Sequence, residues 1–498
     1  MERLNYQTLE QLGSKDYILK DAPERVLQFG EGNFLRGFVN YFIDVLNEKK
    51  GFNSKVVVVQ PIAQGLADML NEQDGLYTLY LRGFENGEKV NARRLISCIS
   101  RAINPYAQPA AFLENAKNPD LRFIVSNTTE AGITYIAEDK LEDEMPSSFP
   151  AKLTKLMYER FKVFGTEKGK GFVILSCELI DNNGAELKKC VEKYADSWNL
   201  GDDFKAWLDA ENIFCSTLVD RIVTGYPRNE AAALCEENGY EDKLIDTAEV
   251  FGFWVIEGPQ SLYEELPIKG TDLPIMITDD HTPYKKRKVR ILNGAHTSMV
   301  LAAYLAGEDI VRDCMHDETI VSFMSNTLFN EIIPTLTLPE EELMSFANAT
   351  IERFKNPFID HALLAISLNS VSKWRARVLP SMKGYIEKFG KLPENIVFSF
   401  AALMAFYTGT EIREGALIGN RNGEEYKISD DMPVLEYCAA NSTTLSVEDF
   451  VKGFAANETF FGEDLTKYDG FAEAVASYLA VIRTDGMRKV LEELVKGE

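Results

Sequence analysis

The chain is poor in the residues that most often hold metals and disulfides. It has seven cysteines in 498 residues, at positions 98, 177, 190, 215, 235, 314 and 438. They are scattered and odd in number, and none forms a Cys-x-x-Cys pair. Neither a zinc ribbon nor a disulfide framework is indicated. There are four histidines, 281, 296, 316 and 361, with no His-Glu-x-x-His spacing, so no metal site is expected. Positive charge is also short: 53 Lys and Arg against 77 Asp and Glu leave a net charge of −24. That balance argues against nucleic acid or an anionic membrane as partner. No apolar run reaches the ~18 residues that would span a bilayer. Met1 to Tyr17 is polar, without the apolar core of a signal peptide. The expectation is a cytoplasmic protein acting on small molecules; its oligomeric state is not readable.

What is present is a globular composition, 45% hydrophobic and 26% charged, in a chain too long for one ordinary core. Arg25 to Phe29 reads as a strand. Gly30-Glu31-Gly32-Asn33 follows, then helical periodicity from Phe34 to Lys49 and a second strand from Lys55 to Gln60. Strand, glycine turn, helix and strand in this span form a dinucleotide-binding βαβ unit. The glycines let main chain approach a pyrophosphate at the helix N-terminus. Gly30-x-Gly32 lacks the third glycine of the full fingerprint, Leu35 standing in its place. Phe29, Gly30, Gly32, Asn33 and Phe34 are the candidate cofactor-binding residues of the turn. The second strand ends in Gln60 rather than the usual acid, and an amide can still bond a ribose hydroxyl. No Lys or Arg occurs from Pro61 to Leu81 to meet a 2′-phosphate, so NAD is favoured over NADP.

Further strands are read at Arg122–Ser126, Gly171–Glu178, Phe251–Glu257 and Pro274–Thr278. Ligands of open α/β sheets bind beyond the carboxyl ends of strands, which makes Asn127, Thr128, Thr129 and Glu130 candidates for cofactor contact. From Lys288 onward the 3.6-residue period dominates. Thr408 to Met432 reads as a polar surface loop. The fold class is thus an α/β Rossmann-type domain over residues 1–284 and a mostly α-helical domain over residues 285–498.

The densest chemistry lies in Lys288-Val289-Arg290-Ile291-Leu292-Asn293-Gly294-Ala295-His296. On an α-helix, ~100° per residue places Asn293 about 60° and Lys288 about 80° from His296. Together they offer a proton-transfer group, an oxyanion donor and an orienting ring. The bland alternative is a basic, solvated helix start. Lys373-Trp374-Arg375-Ala376-Arg377 puts three cations in five residues of an acidic chain, and Arg375 or Arg377 could clamp a carboxylate. Asn183, in Asn183-Gly184, has a turn reading beside a catalytic one, and Asp220-Arg221 reads first as an ion pair.

Phe29 to Phe38, Ser126 to Glu130, Leu218 to Ile222 and Lys288-x4-Asn293-Gly294-x-His296 occur in the order found in the long-chain mannitol dehydrogenase family, which the chain resembles over nearly its whole length. Cys177 to Asp181 and Cys215 to Pro227 resemble a branch of it acting on hexuronate-derived sugar acids. The resemblance implies a metal-independent, nicotinamide-linked oxidoreductase with its active site between two domains. It implies Lys288 as general acid/base, Asn293 as oxyanion donor, His296 as substrate-orienting residue, and Asp220 and Lys373 as substrate contacts. A second family asparagine falls on Leu179 here, with Asn183 retained at the next asparagine position. Fructuronate reduction or mannitol–fructose interconversion on the same scaffold is the alternative. A sensor that binds NADH without turnover is the reading from another class.

Overall fold

The computed structural model describes residues 1–85, 87–165 and 167–497. It comprises two compact units, Met1–His281 and Thr282–Glu498.

The first unit is built on an eight-stranded sheet: β1 (Glu24–Phe29), β2 (Lys55–Val59), β3 (Ile99–Ile103), β4 (Phe123–Ser126), β5 (Val173–Ser176), β6 (Ile213–Asp220), β7 (Phe253–Glu257) and β8 (Ile275–Thr278). The order across the sheet is β8-β7-β6-β5-β4-β1-β2-β3. The six strands from β6 to β3 are parallel. β7 runs antiparallel to β6, and β8 pairs parallel with β7. Winding reverses between β1 and β4, the switch point at which such sheets bind ligands. All five residues of β2 are buried, which explains its uninterrupted Val56–Val59 run. Val56 and Val58 pack with Phe38, Phe42 and Trp254 on one face of the sheet. Val57 and Val59 pack with Phe29, Phe112 and Phe149 on the other. Each such valine contributes about 1.5–3 kcal/mol by leaving water.

Helix α1 covers residues 33–50, α-helical at both ends but π-helical over Arg36–Asn40, and it stops at Gly51 in the left-handed region (φ 59°). Helix α2 (Asn183–Ser197) follows β5. A smaller sheet joins Tyr77–Glu85 to Glu88–Ile96 and Asp246–Glu249. The sequence pattern gives little sign of it, because Glu88–Ile96 is largely exposed and charged.

The second unit is mostly helical. Helix α3 covers residues 282–306, with a π-helical stretch over Lys288–Asn293 between Thr282–Arg287 and Gly294–Ala306. Further helices of this unit include α4 (Glu340–Phe354), α5 (Ser370–Arg377), α6 (Glu394–Phe406) and α7 (Phe471–Asp485). α6 is buried on nearly every side and forms the unit's apolar axis. The helical period expected from Lys288 onward is broken near residue 367: Leu363–Ile366 ends before Asn369, whose left-handed φ of 53° starts α5. The loop expected over Thr408–Met432 instead holds a three-stranded antiparallel sheet, Ile412–Arg413, Ala416–Arg421 and Glu424–Ile428. Its hairpin turns at Asn422-Gly423, both at positive φ (55° and 93°), the strongest short hairpin signal available in that segment. Among the described residues no helix is long and apolar enough to cross a membrane.

Candidate active site

The glycine turn after β1 is shaped by main chain. Gly30 adopts φ 121°, and its N–H donates to the Val59 carbonyl at 3.0 Å, tying the ends of β1 and β2. A Cβ on Gly30 would lie 3.1 Å from the Asn127 carbonyl oxygen, so β4 closes in on the turn from the other side. Beneath the turn, Gln28 donates to the Gly30 carbonyl at 2.8 Å, and Asn40 donates to Gln28 Oε1 at 2.8 Å. A Cβ on Gly32 would meet nothing within 4 Å. Gly32 is also the N-cap of α1, and no side chain caps that end. An open, uncapped helix N-terminus reached through a glycine suits a diphosphate.

The side chains of the turn are spoken for. Phe29 is fully buried, its ring 4.8 Å from Phe149 and 5.9 Å from Phe112, so it offers only main chain to a ligand. Phe34 stacks on Phe38 at 5.0 Å. Asn33 Oδ1 accepts from Arg36 at 2.6 Å.

Two sequence expectations need correction. Gln60 does not present its amide to a ribose: Nε2 donates to the carbonyls of Ile62 and Ala63 at 2.9 and 3.0 Å, and Oε1 accepts from Ala67 N–H. Only 3% exposed, Gln60 braces its own loop. Asn183 is likewise closed. Its Nδ2 donates to the Glu178 and Thr217 carbonyls at 2.9 and 3.0 Å, and its Oδ1 accepts from Thr217 and Gly184 N–H. With its amide committed to the ends of β5 and β6, it has no N–H left for an oxyanion.

At the end of β4 the cofactor candidates Asn127 and Thr128 are half-buried, and Thr129 and Glu130 are exposed. Thr129 has φ 73°, unusual for a β-branched residue and a sign of local constraint. Glu178, 1% exposed, pins this corner: its carboxylate accepts from Ser126 Oγ, Thr128 N–H and Thr128 Oγ1, each at 3.0 Å. Asp220 is buried at the carboxyl end of β6. Its neighbour Arg221 is held by the carbonyls of Gly37, Val250 and Phe251.

In the helical unit, Lys288, Asn293 and His296 lie along α3. The π-helical stretch begins at Lys288 and ends at Asn293. In a uniform α-helix those two would stand about 140° apart at ~100° per residue. The wider i→i+5 turn carries residues five apart toward one face, and such insertions recur at functional sites. Asn293 is half-buried, and its side chain makes no hydrogen bond among the described residues. Gly294 follows it where α5 passes close: a Cβ there would be 3.4 Å from the Arg377 carbonyl oxygen.

His296 carries the clearest electrostatic signal. Its ring stacks on Phe354 at 4.0 Å and 10°, and meets the edge of His361 at 5.7 Å and 89°. Its Nε2 is shut off from solvent with no hydrogen-bond partner. Burial pushes its pKa well below 6.5, and His361, Arg353, Arg377 and Lys373 push the same way. The imidazole is therefore neutral, and its orphaned nitrogen awaits a polar group.

The cations of α5 divide by face. Residues four apart share a helix face and residues two apart do not. Arg377 Nη1 donates to Thr297 Oγ1 at 3.3 Å, beside His296. Lys373 Nζ donates to the Ile366 carbonyl at 2.8 Å, and burial followed by Arg377 lowers its pKa. Arg375 is exposed and lies instead against Gly462, where an added Cβ would sit 2.7 Å from its Nη2. Lys373 and Arg377 are thus brought to His296, and Arg375 is turned away. The sequence pattern passed over Arg353, Phe354 and His361.

Among the described residues one group has metal-like composition: ligand atoms of Glu257, Asp280 and His281 all lie within 4.8 Å of one another. His281 Nδ1 and Glu257 Oε2 are hydrogen-bonded at 2.5 Å.

A doubly wound sheet with an open glycine turn, and a helical unit presenting a lysine, an amide and a neutral imidazole, define the class of dinucleotide-linked dehydrogenases. Comparison with known proteins narrows it. Residues 24–270 match the mannitol dehydrogenase Rossmann domain, and residues 280–483 match the mannitol dehydrogenase C-terminal domain. Altronate oxidoreductase of Pectobacterium carotovorum subsp. carotovorum (strain PC1) is 47% identical over 490 residues, 97% of this chain and 99% of that protein. The protein of that name from Escherichia coli O7:K1 is 46% identical over 492 residues, 98% and 100% of the two chains. Among solved structures, Pseudomonas fluorescens mannitol 2-dehydrogenase in ternary complex with NAD and D-mannitol aligns over 100% of both chains (TM-score 0.68, 23% identity). Substrate-free D-sorbitol dehydrogenase aligns over 98% of this chain and 100% of its own (TM-score 0.81, 21% identity). The chain belongs to the mannitol dehydrogenase family and is an oxidoreductase acting on CH–OH groups.

Proposed function

We propose that this protein interconverts D-tagaturonate and D-altronate with NAD as cofactor. The reading is supported by the full-length likeness to altronate oxidoreductases and carried by one observation: an unprotonated, unpartnered His296 nitrogen set among cations in a chain of net charge −24. A sugar acid answers both features. A hydroxyl satisfies the imidazole, and a carboxylate satisfies Arg377 and Lys373.

NAD fits the first unit. Gly30, Gly32 and the main chain of Asn33 and Phe34 would hold the diphosphate, and Asn127 to Glu130 line the adjoining strand end. The cofactor supplies or receives the hydride at the ketone carbon. Every other task falls to side chains of this chain. Asn293 donates hydrogen bonds to the substrate oxygen as negative charge grows on it, a contribution typically worth about 3–4 kcal/mol. Lys288, as ammonium, delivers the proton to that oxygen, and in the oxidative direction it takes the proton back. His296 holds a neighbouring hydroxyl through Nε2 without competing as an acid, because its own proton affinity is suppressed. Arg377 and Lys373 fix the carboxylate end, and Asp220 is kept as a further substrate contact.

The test is NADH oxidation followed by absorbance with tagaturonate, fructuronate and fructose in parallel. A kcat/KM at least ~10-fold higher for tagaturonate than for either rival supports the reading. A stronger response to fructuronate or fructose moves the substrate while keeping the chemistry. NADH binding without turnover of any of the three overturns the enzyme assignment.

A further inference from the structure

The sheet poses a question of cofactor choice. Proteins of this topology hold the adenosine ribose with an acid at the end of the second strand. Here that position is Gln60, and its amide is consumed by its own loop. We infer that the missing acid is supplied from the glycine turn itself, by Glu31, whose carboxylate selects NAD by repelling a 2′-phosphate.

The geometry places Glu31 where the task requires it. Gly30 and Val59 are hydrogen-bonded, so the turn after β1 and the end of β2 are neighbours. Glu31, the residue of the turn after Gly30, is 8% exposed. A Cβ built on Gly65 would collide with the Glu31 carboxylate and lie 2.7 Å from Gln60 Oε1. The carboxylate therefore shares the ribose corner with Gln60. Gly65 is the residue that leaves it room. Burial pushes the Glu31 carboxyl above its usual value, while the main-chain N–H groups of Glu31 and Leu66 bond the carboxylate and the Arg36 charge acts on it, both favouring its charged form.

Arg36 acts on this carboxylate as a nearby positive charge, but its N–H donors are engaged elsewhere. Arg36, 2% exposed, gives Nε to the Glu31 carbonyl at 3.2 Å, Nη1 to the Leu244 carbonyl at 2.6 Å and Nη2 to Asn33 Oδ1 at 2.6 Å. No Lys or Arg occurs between Pro61 and Leu81. A phosphate brought to this corner would meet the Glu31 carboxylate with the Arg36 donors already engaged, whereas a 2′-hydroxyl can donate to it.

The inference rests on NAD being the cofactor, and its test keeps the two apart. NADH and NADPH are titrated separately into the full chain without substrate, read by nicotinamide fluorescence and by calorimetry. The wild type is expected to bind NADH more tightly than NADPH. Glu31→Gln, which keeps an acceptor for Leu66 N–H, should narrow the Kd ratio at least ~10-fold, chiefly by tightening NADPH. Glu31→Asp, which keeps the charge, should preserve most of the discrimination. A ratio that stays within twofold of wild type in Glu31→Gln overturns the inference, even if both affinities fall together, because Glu31 would then only prop the loop. Equal loss of discrimination in Gln and Asp overturns it too. Failure of the wild type to bind either nucleotide would instead remove the cofactor reading beneath it.

Discussion

The glycine turn of the first unit and the Lys288–His296 stretch of the second use the same device for opposite ends. Each lies on a helix widened by a π-helical stretch, over Arg36–Asn40 in one and Lys288–Asn293 in the other. In the first, the widening accompanies a turn whose polar side chains are satisfied. Arg36 bonds three oxygens, and Gln28 and Asn40 bond each other. What is left open there is main chain, beside the buried Glu31 carboxylate. In the second, polar side chains are left unmet: the Asn293 amide and His296 Nε2. Binding a diphosphate needs rigid N–H groups, and a closed side-chain network supplies rigidity. Proton transfer and oxyanion stabilisation need side chains with spare valence.

That contrast is broken most sharply by removing the lysine. Lys288→Ala should lower kcat by about 10²–10⁴-fold, the usual worth of a positioned acid–base group, while NADH affinity stays within twofold. A kcat within tenfold of wild type would strip Lys288 of its role. Next come the cations. Arg377→Ala should raise KM for a uronate on the order of 10–100-fold and leave a neutral ketose far less affected. Arg375→Ala, on the other face of α5, should leave both unchanged. Equal effects of the two variants would dissolve the face argument.

Gly32→Ala probes the main-chain half. Its φ of −66° accepts alanine and the new methyl meets no protein atom, so folding should be unaffected. A methyl in the path of the diphosphate should weaken NADH about tenfold or more, with unchanged Tm. Asn183→Ala should do the reverse. It leaves buried carbonyls and N–H groups unpaired at about 1–3 kcal/mol, visible as a lower Tm, with kcat of the folded enzyme within a few-fold of wild type. A collapse of kcat at unchanged Tm would restore the oxyanion role that its hydrogen bonds argue against.

The legible parts of this molecule are those in which local pattern and chemistry coincide. Val56–Val59 reads as a doubly covered strand because every residue is apolar, and Gly30 reads as a turn because its φ of 121° and the close Asn127 carbonyl favour glycine. Gln60 and Asn183 could not be sorted, since a polar residue at a strand end looks the same whether it faces a ligand or its own loop. The π turn was hidden because its sequence, Lys288 to Asn293, has no breaker residue. Uniform α geometry would leave Lys288 and Asn293 about 140° apart around the helix. Arg353, Phe354 and His361 were missed because tertiary packing alone brings them to His296.

The smallest expected effect sharpens the electrostatic half of the comparison. His296 has a pKa below its ordinary 6.5 in the folded chain, set first by burial. Between that lowered value and 6.5 the unfolded chain binds a proton that the folded chain refuses, so stability rises with pH across this window. The contribution is fully present above about 6.5 and is lost as pH falls toward the folded value, at a limiting slope of about 1.4 kcal/mol per pH unit. His361 is shifted in the same direction by burial and then Lys373, so the raw pH profile mixes the two rings. His296→Phe isolates one. Phenylalanine can keep the stack on Phe354 and cannot titrate. The Tm difference between variant and wild type, measured at pH 5, 6, 7 and 8, should be flat from 7 to 8 and move in the variant's favour below 6.5. A difference constant over the whole range would mean that His296 accepts its proton as readily folded as unfolded. The cations around it would then have to be doing something other than holding it neutral.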